Sequence, residues 1–259
     1  MELSEVYAVE RTKWDELARR ERDDAELLIE PELDFGTYYR SDSALDLGQI
    51  ANFIGDLRGK RVVEYGCGLG FLTVLLGRSG ARVDAFDLSV ESTAVARRRA
   101  ELNGVGDAVT FHVAAGEDLP FESDTFDAAV GNAVLHHLDV GLASPELFRV
   151  LKPGANAAFS EPLGTNPVLA FARDHLPYPG KNPRGADHPL TYEDLHAWGA
   201  PFTDFSYTEV QLLSMIERAL GRNRRLPRLR SVDRFLLSRV PPLRRYCRYV
   251  MLYMTKGHA

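Results

Sequence analysis

The stretch RVVEYGCGLGFLTVLLG, residues 61–77, places a glycine-rich loop between an apolar segment and a helix-like run. Residues 61–65 have the character of a short buried strand, and the residues after the loop have helical spacing. Gly66, Gly68 and Gly70 allow a tight turn and let a ligand approach the backbone. In an open parallel sheet, ligands bind outside the carboxyl ends of the strands. The stretch therefore predicts a nucleotide-binding loop at the first strand-to-helix turn.

The spacing of this loop distinguishes two kinds of nucleotide. A dinucleotide fingerprint has the form G-x-G-x-x-G, whereas this loop is G-x-G-x-G and Phe71 takes the place of the third glycine. Glu64 precedes the loop within the strand. An acid is unfavourable where a helix N-terminus faces a pyrophosphate, but it suits a ligand that carries an ammonium or sulfonium charge. A dehydrogenase is therefore the least favoured function.

A second acid follows at the end of the next strand. The segment FDLS places Asp87 at the carboxyl tip of that strand, 19 residues after Gly68. A carboxylate there can accept hydrogen bonds from both hydroxyls of a ribose. The alternative is an ordinary N-cap of the following helix, which Ser89 would also supply. The loop and the acid together favour ribose binding.

Outward from the loop, short apolar strands alternate with helical segments, a pattern that predicts a parallel sheet covered on both faces. Strands are predicted at 61–65, 82–86, 108–113, 125–131, 155–160, 202–210 and 248–256. Helices are predicted at 6–20, 43–57 with Ser41, Asp42 or Ser43 as the cap, 69–79, 90–103 with a stop at Asn103-Gly104, a segment ending near 150, 191–199 and a segment ending near 220. The segment KPG (152–154) predicts a turn, and FGTYYRSD (35–42) an aromatic loop. Residues 162–190 contain six prolines and predict an irregular lid.

Composition limits the class of protein. The chain has 259 residues, 45% of them hydrophobic, and we predict one domain over 1–259: a helical cap (1–59), a cofactor-binding core (60–160) and a substrate lid with closing strands (161–259). We expect no membrane span and no signal peptide, because no apolar run is long enough and the segment MELSEVYAVERTKW is polar. Two cysteines suit a reducing cytoplasm, and a net charge of −6 argues against nucleic-acid binding by the whole surface. The oligomeric state stays open.

Positive charge is concentrated near the end of the chain. Residues 218–248 contain 11 arginines and one acid, Asp233. The simpler interpretation is a solvated, helix-forming connection. The alternative is a patch that binds a phosphorylated substrate or an anionic membrane surface.

Five motifs between about residues 60 and 160 resemble, in order and spacing, the class I S-adenosylmethionine-dependent methyltransferases: VVEYGCGLG, FDLS, GEDLPF, TFDAAVGNAVLHHL and LKPGA. The tail, from EPLGTNP to RYVMLYMTK, resembles a bacterial small-molecule branch of that superfamily. The resemblance implies a Rossmann-like, seven-stranded, mostly parallel sheet whose last strand is antiparallel. Helices would cover both faces, with N-terminal helices and a C-terminal lid region added. S-adenosyl-L-methionine is the implied cofactor, and no metal cluster is expected.

The resemblance also implies roles for individual residues. The methionine moiety of the cofactor would contact Glu64 and the backbone of Gly66, Cys67, Gly68 and Gly70. The rest of the cofactor would contact Asp87 at the ribose, Leu88 at the adenine, Asn132 beside the sulfonium and His137. The family usually has an aspartate where this chain has Ala115. Gly116 and Glu117 are the expected substitutes for that contact.

Candidates for catalysis lie after the fourth and fifth strands. A hydroxyl acceptor benefits from a general base, for which His136 is the natural choice. Glu161 and His188 are further candidates, with His175 and Asp187 behind them. The alternatives are an imidazole that ties the LHHL loop together and an acid that anchors the lid.

Aromatic residues near the N-terminus have two interpretations. Tyr39, with Tyr38, would close over a sulfonium through a cation–π contact or pack against the sheet edge. Trp14, together with the stripe Val6, Val9, Lys13 and Leu17, is more typical of a packed helix than of a binding face.

Three functions remain open from the sequence. The leading one is methylation of a small-molecule metabolite at oxygen, nitrogen or carbon, because the irregular lid favours an enclosed pocket. The second is methylation of a macromolecule docked on the arginines. The third is a cofactor-binding protein, cyclase-like or a partner subunit, that no longer transfers methyl groups.

Overall fold

The computed structural model describes residues 3–20, 23–40, 48–175, 188–219 and 226–258. Its centre is one seven-stranded sheet in the order β3-β2-β1-β4-β5-β7-β6. The strands are β1 (Arg61–Tyr65), β2 (Arg82–Asp87), β3 (Val109–Val113), β4 (Phe126–Asn132), β5 (Leu151–Pro162), β6 (Asp204–Val210) and β7 (Tyr249–Thr255). The strands β1 to β5 pair in parallel, whereas β7 is antiparallel to both β5 and β6. The predicted fold class is confirmed.

Helices cover both faces of this sheet. They are α1 (Leu3–Ala18), α2 (Asp24–Leu27), α3 (Phe35–Arg40), α4 (Gly48–Ile54), α5 (Phe71–Arg78), α6 (Val90–Leu102), α7 (Val140–Val150), α8 (Pro167–His175), α9 (Tyr192–Gly199), α10 (Ile216–Ala219) and α11 (Pro227–Arg239). One apolar cluster lies between the sheet and α3 to α6, and a second between the sheet and α7 and α9. Two covered faces explain why the central strands are apolar throughout rather than alternating.

The glycine loop lies where the strand order reverses. Strand β1 has β2 on one side and β4 on the other, so a crevice opens beyond its carboxyl end. Gly66 has a φ of +61°, and a Cβ there would lie 2.5 Å from a methyl group of Val134. Gly70 has a φ of +80°, and its Cβ would lie 2.8 Å from the backbone of Ala96. A side chain at either position would force the loop or α6 outward.

Helix α1 lies over this crevice and is tied to the start of α6. The hydroxyl of Ser89 donates to Asp15 Oδ1 at 2.5 Å and accepts from the backbone N–H of Ser92. Ser89 is therefore the N-cap of α6. This cap leaves the neighbouring Asp87 available for another role.

The aromatic segment predicted as a loop is instead helix α3 for residues 35–40. The rings of Phe35 and Tyr39, four residues apart, lie 4.4 Å from centroid to centroid. The backbone N–H of Phe35 donates to the hydroxyl of Ser79, which is remote in sequence. Tertiary contacts thus stabilise a helix that its composition does not indicate.

The segment after β5 also contains a helix that was not predicted. Asn166 accepts hydrogen bonds from the backbone N–H groups of Val168 and Leu169, which caps α8, and Pro167 occupies the first helical position. Asn166 followed by Pro167 is a helix-start signal. It was missed in the sequence because six prolines in this segment predicted an irregular structure. The predicted KPG turn is wrong in detail: β5 already begins at Leu151, and Gly154, with a φ of +81°, lies at a register shift inside the strand.

Parts of the sequence predictions lie outside the described residues. These are the caps at Ser41, Asp42 and Ser43, the candidate Asp187, and the middle of the proposed lid. Among the helices that the structure describes, none combines the length and the apolar character needed to span a membrane.

Candidate functional site

A cleft lies beyond the carboxyl ends of β1 and β2, beneath α1. Its lining comprises Tyr7, Glu10, Trp14, Gly66, Phe86, Asp87, Leu88, Ala114, Ala115, Gly116, Glu117, Val134, His137 and Leu138. Six of these are candidates for cofactor binding from the sequence: Gly66, Asp87, Leu88, Gly116, Glu117 and His137. The fold therefore brings together residues from five segments of the chain.

Asp87 lies at the tip of β2, where its carboxylate contacts the glycine loop. Oδ2 accepts from the backbone N–H of Gly68 and Oδ1 from that of Ser89, both at 2.9 Å. Burial raises the pKa of Asp87 despite these two hydrogen bonds. The carboxylate thus fixes the loop and also faces the cleft.

Glu64 lies inside β1 and is covered by α5. Its Oε2 accepts from the hydroxyl of Thr73 at 2.6 Å, a partner that the sequence did not suggest. Burial raises the pKa of Glu64 to about 8, although the Thr73 hydrogen bond lowers it. Without a ligand this carboxyl holds a proton at neutral pH, and a cation nearby would favour its ionised form.

The rest of the glycine loop is held by its backbone. Cys67 donates its N–H to the carbonyl of Phe86, and the N–H of Gly70 donates to the carbonyl of Cys67. The Cys67 thiol is buried, and burial raises its pKa well above the usual value. This thiol is therefore an inert packing group rather than a nucleophile.

Residues 114–117 form the wall opposite the loop. Glu117 Oε1 accepts from the backbone N–H of Asp139, which joins this wall to the segment after β4. Burial, and then the Glu117 carboxylate, raise the pKa of Tyr7 in α1. A side chain at Gly116 would lie 2.8 Å from Leu138. The backbone of this wall is therefore accessible to a flat ligand at Ala115 and Gly116. Ala115 is the position where the family usually has an acid.

Helix α1 contributes three lining residues that the sequence interpretation missed. Tyr7, Glu10 and Trp14 are spaced three and four residues apart and so share one face of the helix. Trp14 donates its ring N–H to Glu10 Oε2 at 3.2 Å. Burial alone would raise the pKa of Glu10, but His137 and Lys13 lower it below its usual value. The signal was this spacing of polar and aromatic residues, of which the sequence interpretation considered only Trp14, as part of a packed helix.

Unsatisfied polar atoms concentrate at this cleft. In the described part of the chain, five buried side-chain atoms lack a hydrogen-bond partner: Glu10 Oε1, Tyr65 OH, Glu117 Oε2, His137 Nδ1 and Trp198 Nε1. Three of them belong to lining residues, and Tyr65 packs directly behind Gly116. Glu10 Oε1 and His137 Nδ1 lie 3.4 Å apart, close enough to attract but without hydrogen-bond geometry. A buried group without any partner costs about 1–3 kcal/mol, and less where two such atoms attract each other, as Glu10 and His137 do. A ligand with matching polar groups would therefore gain from hydrogen bonding to them.

His136 and Glu161 form a buried pair next to the cleft. Glu161 Oε2 lies 2.8 Å from His136 Nδ1, and Oε1 accepts from the backbone N–H groups of Val134 and Leu135. The His136 ring lies 4.0 Å, centroid to centroid, from the ring of His137, which lines the cleft. Glu161 thus orients the histidine and anchors the loop after β4 at the same time.

Tyr39, Asn132 and His188 are among the candidates from the sequence that do not line this cleft. Tyr39 is buried and lines a second cleft, together with β6 and α11. Asn132 is exposed at the end of β4, and His188 is exposed near the start of α9. The structure therefore does not bring Tyr39, Asn132 and His188 into the set around Asp87.

Comparison with known proteins adds to this geometry. The family model described as "Methyltransferase domain" matches residues 63–159. Residues 63–159 are therefore similar to a methyltransferase domain. The resemblance to class I methyltransferases that the motifs indicate is confirmed over that range, which contains Glu64, the glycine loop, Asp87 and His136.

Curated relatives extend the likeness beyond the methyltransferase domain. A ribosomal protein L11 methyltransferase of Vibrio cholerae is 31% identical over 153 residues, 58% of this chain and 50% of that protein. A demethylmenaquinone methyltransferase of Clavibacter sepedonicus is 34% identical over 146 residues, 53% of this chain and 58% of that protein. The chain therefore spans about half the length of the curated relatives it matches.

Among solved structures, the geranyl diphosphate C-methyltransferase of Streptomyces coelicolor A3(2) is similar, with a TM-score of 0.61 and 17% identity. The match covers 80% of this chain and 78% of that one. At this level of identity the similarity establishes the fold, which agrees with the observed strand order.

Proposed function

We propose that this chain is an S-adenosylmethionine-dependent methyltransferase that acts on a small-molecule metabolite. The observation that carries the proposal is the set of unpaired polar atoms around a cleft bounded by the glycine loop and Asp87. A nucleoside has ribose hydroxyl groups that can donate to the acids of this cleft, and ring nitrogens that can accept from its donors. The class I resemblance and the methyltransferase relatives support the cofactor and the reaction.

Each part of the cleft has a task in holding this cofactor. Asp87 would bind the ribose hydroxyls, Leu88 would pack on the adenine, and the backbone at Gly116 would face the ring. Glu64, with the glycine-loop backbone, would hold the charged amino-acid end. The open volume of the cleft, about 70 Å³, is smaller than the roughly 300 Å³ at which ligand pockets begin. We infer that helix α1, which covers the cleft, moves outward as the cofactor enters.

When bound, the cofactor would supply the methyl group as an electrophile, with S-adenosylhomocysteine as the leaving group. The protein then has to align the acceptor and exclude water. An acceptor hydroxyl or amine also loses a proton. His136 is the candidate base, because donation from its Nδ1 to Glu161 would leave Nε2 as the accepting nitrogen.

The affinity for S-adenosylmethionine should rise with pH between about 6 and 8 and then level off. The reason is that Glu64, with a pKa of about 8, must lose its proton to pair with the positive end of the cofactor. The same raised pKa means that the folded chain binds more protons than the unfolded chain. The contribution of Glu64 to the free energy of unfolding is therefore complete below pH 4.5 and is lost as the pH rises to about 8.

Isothermal titration calorimetry of the wild type and of Glu64→Gln at pH 6, 7 and 8 tests this dependence. We expect a wild-type slope of up to about tenfold in affinity per pH unit, and a flatter profile for the variant. Because other groups at the cleft titrate in both proteins, the difference between the two profiles isolates Glu64. Parallel profiles would contradict a role for Glu64 in binding the cation.

Transfer of labelled methyl from S-adenosylmethionine into a fractionated cell extract tests the proposed function. The small-molecule, protein and RNA fractions are counted separately, with the Asp87→Ala protein as control. We expect label in a small-molecule fraction from the wild type only. Absence of label, with the cofactor still tightly bound, would contradict methyl transfer and favour a non-transferring protein.

Methylation of a protein is the second candidate, since one relative is named as a ribosomal protein L11 methyltransferase. Label in the protein fraction would favour it. The arginines of residues 226–248 would then be the docking surface, and binding would weaken with added salt. The net charge of −6 over the whole chain makes this candidate the weaker one.

A further inference from the structure

A second, larger cleft lies on the same face of the sheet as Glu64. It has a volume of about 570 Å³ and lies between α3–α4 on one side and α11 on the other, with residues 207–211 of β6 and its carboxyl end as the floor. This size is within the range of pockets that hold drug-sized molecules. The proposed cofactor contacts do not use it, apart from the candidate Tyr39.

Helix α3 separates this cleft from the glycine loop. Tyr38 packs edge-on against Phe71, the first residue after the loop, with ring centroids 5.0 Å apart. The next residue, Tyr39, lines the second cleft. Burial, and then the charge of Glu64, raise the pKa of Tyr39. Through Tyr38 and Tyr39 of α3, the cleft therefore adjoins the residue that follows the glycine loop.

The far side of the cleft has positive charge without a matching acid. Arg234 NH2 donates to the hydroxyl of Ser231 at 3.4 Å, and Arg244 Nε donates to the carbonyl of Leu237 at 3.4 Å. Both partners are neutral. Within the described ranges, neither guanidinium group has a carboxylate within ion-pair distance. Both arginines are exposed and line the cleft.

The acids of the cleft, by contrast, are already used by the protein. Asp233 accepts from the backbone N–H groups of Leu213 and Ser214 and from the Ser214 hydroxyl. Glu209 accepts from the hydroxyl of Tyr192 at 3.1 Å. These carboxylates hold the walls together, and Arg230 pairs with Glu217. Among the described residues at this end, the charged groups that remain for a ligand are therefore the guanidinium groups of Arg234 and Arg244.

The walls of the cleft between Tyr39 and the two arginines set the shape of a ligand that joins its ends. Between the ends the cleft is lined partly by the apolar surfaces of Tyr207, Val210 and Leu237. A ligand that reaches from the arginines toward Tyr39 must be elongated and apolar in its middle.

We propose that this cleft binds the methyl acceptor, and that the acceptor is an elongated small molecule with a carboxylate or phosphate held by Arg234 and Arg244. Its reactive end lies toward Tyr39. Guanidinium groups bind carboxylates and phosphates in the same way, through paired N–H donors, so the two arginines suit either anion. That the bound molecule is a methyl acceptor rests on the proposed function. Binding of an anion in the cleft does not depend on that function.

Calorimetry with ten-carbon probes tests the inference directly. Decyl phosphate, decanoate and neutral decyl glucoside are titrated below their micelle concentrations into the full chain, with S-adenosylhomocysteine titrated separately. We expect at least one anionic probe to bind at least about tenfold more tightly than the neutral one. Which anion binds better distinguishes a phosphate from a carboxylate acceptor.

Matched arginine variants locate the binding. Arg234→Ala combined with Arg244→Ala should lower the affinity for the anionic probe at least about tenfold and leave the affinity for the neutral probe unchanged. The control combines Arg228→Ala with Arg239→Ala, two exposed arginines of α11, the helix that contains Arg234, that do not line the cleft. Equal binding of all probes, or equal losses in both double variants, would overturn the inference. If the wild type does not bind S-adenosylhomocysteine, that result contradicts the proposed function instead.

Discussion

Replacing Asp87 by alanine should weaken the binding of S-adenosylmethionine and S-adenosylhomocysteine by about 100-fold or more. The carboxylate is 8% exposed and accepts from Gly68 and Ser89 in the ligand-free chain. Each hydrogen bond to a charged group contributes roughly 1.5–3 kcal/mol, so loss of two ribose contacts reaches that factor. The variant also leaves two backbone N–H groups unpaired next to the glycine loop.

Two controls separate loss of binding from loss of the fold. Asp84→Asn alters a carboxylate on the same strand that is 7% exposed, pairs with Arg61 and His112, and does not line the cleft. We expect it to bind the cofactor normally. Thermal unfolding of both variants shows whether Asp87→Ala is folded at the assay temperature. Near-normal affinity in a folded Asp87→Ala would remove Asp87 from the ribose site.

Replacing Glu161 by glutamine should lower kcat by about 10²- to 10⁴-fold while the chain stays folded, if a proton is removed in the slow step. A glutamine oxygen can still accept from the N–H groups of Val134 and Leu135. Its amide nitrogen would donate to His136 Nδ1, however, which moves the ring proton to Nε2 and abolishes the accepting nitrogen there. The substitution therefore reverses the tautomer of His136 with little change in shape.

Glu146→Gln is the matched control for this experiment. Glu146 also accepts from a backbone N–H, that of Leu119, and also pairs with a basic side chain, Arg149, but it lies outside both clefts. We expect its kcat to match the wild type. His136→Ala should reproduce the Glu161→Gln loss. Unchanged kcat in both Glu161→Gln and His136→Ala would assign the pair to anchoring the loop after β4.

A third variant shows how much of this pair is structural. Glu161→Ala leaves His136 and two backbone N–H groups without their acceptor in a site where the acid is 0% exposed. Breaking a buried pair of this kind costs about 3–5 kcal/mol. Denaturation of both variants measures this loss in the free energy of unfolding. A smaller loss for Glu161→Gln than for Glu161→Ala would confirm that the amide keeps the hydrogen bonds.

Much of the fold follows from local sequence. Strands β1 and β2 have their predicted bounds to within one residue, because short apolar runs bounded by polar residues and turns have few alternatives. Asn103 and Gly104 end α6 as expected, with Gly104 at a φ of +72°. Helix α3 was missed because its stability comes from Ser79 and neighbouring rings rather than from helix propensity.

The sequence by itself determined the strand alternation, the glycine loop and the position of Asp87, because each depends on residues that are neighbours in the chain. Only the tertiary structure showed that Glu10 faces His137, that Glu161 orients His136, and that Arg234 and Arg244 line one cleft. These contacts join segments that lie on different elements and are packed together by the sheet order. No local periodicity encodes such a meeting, since it depends on which faces of the helices are buried against the sheet.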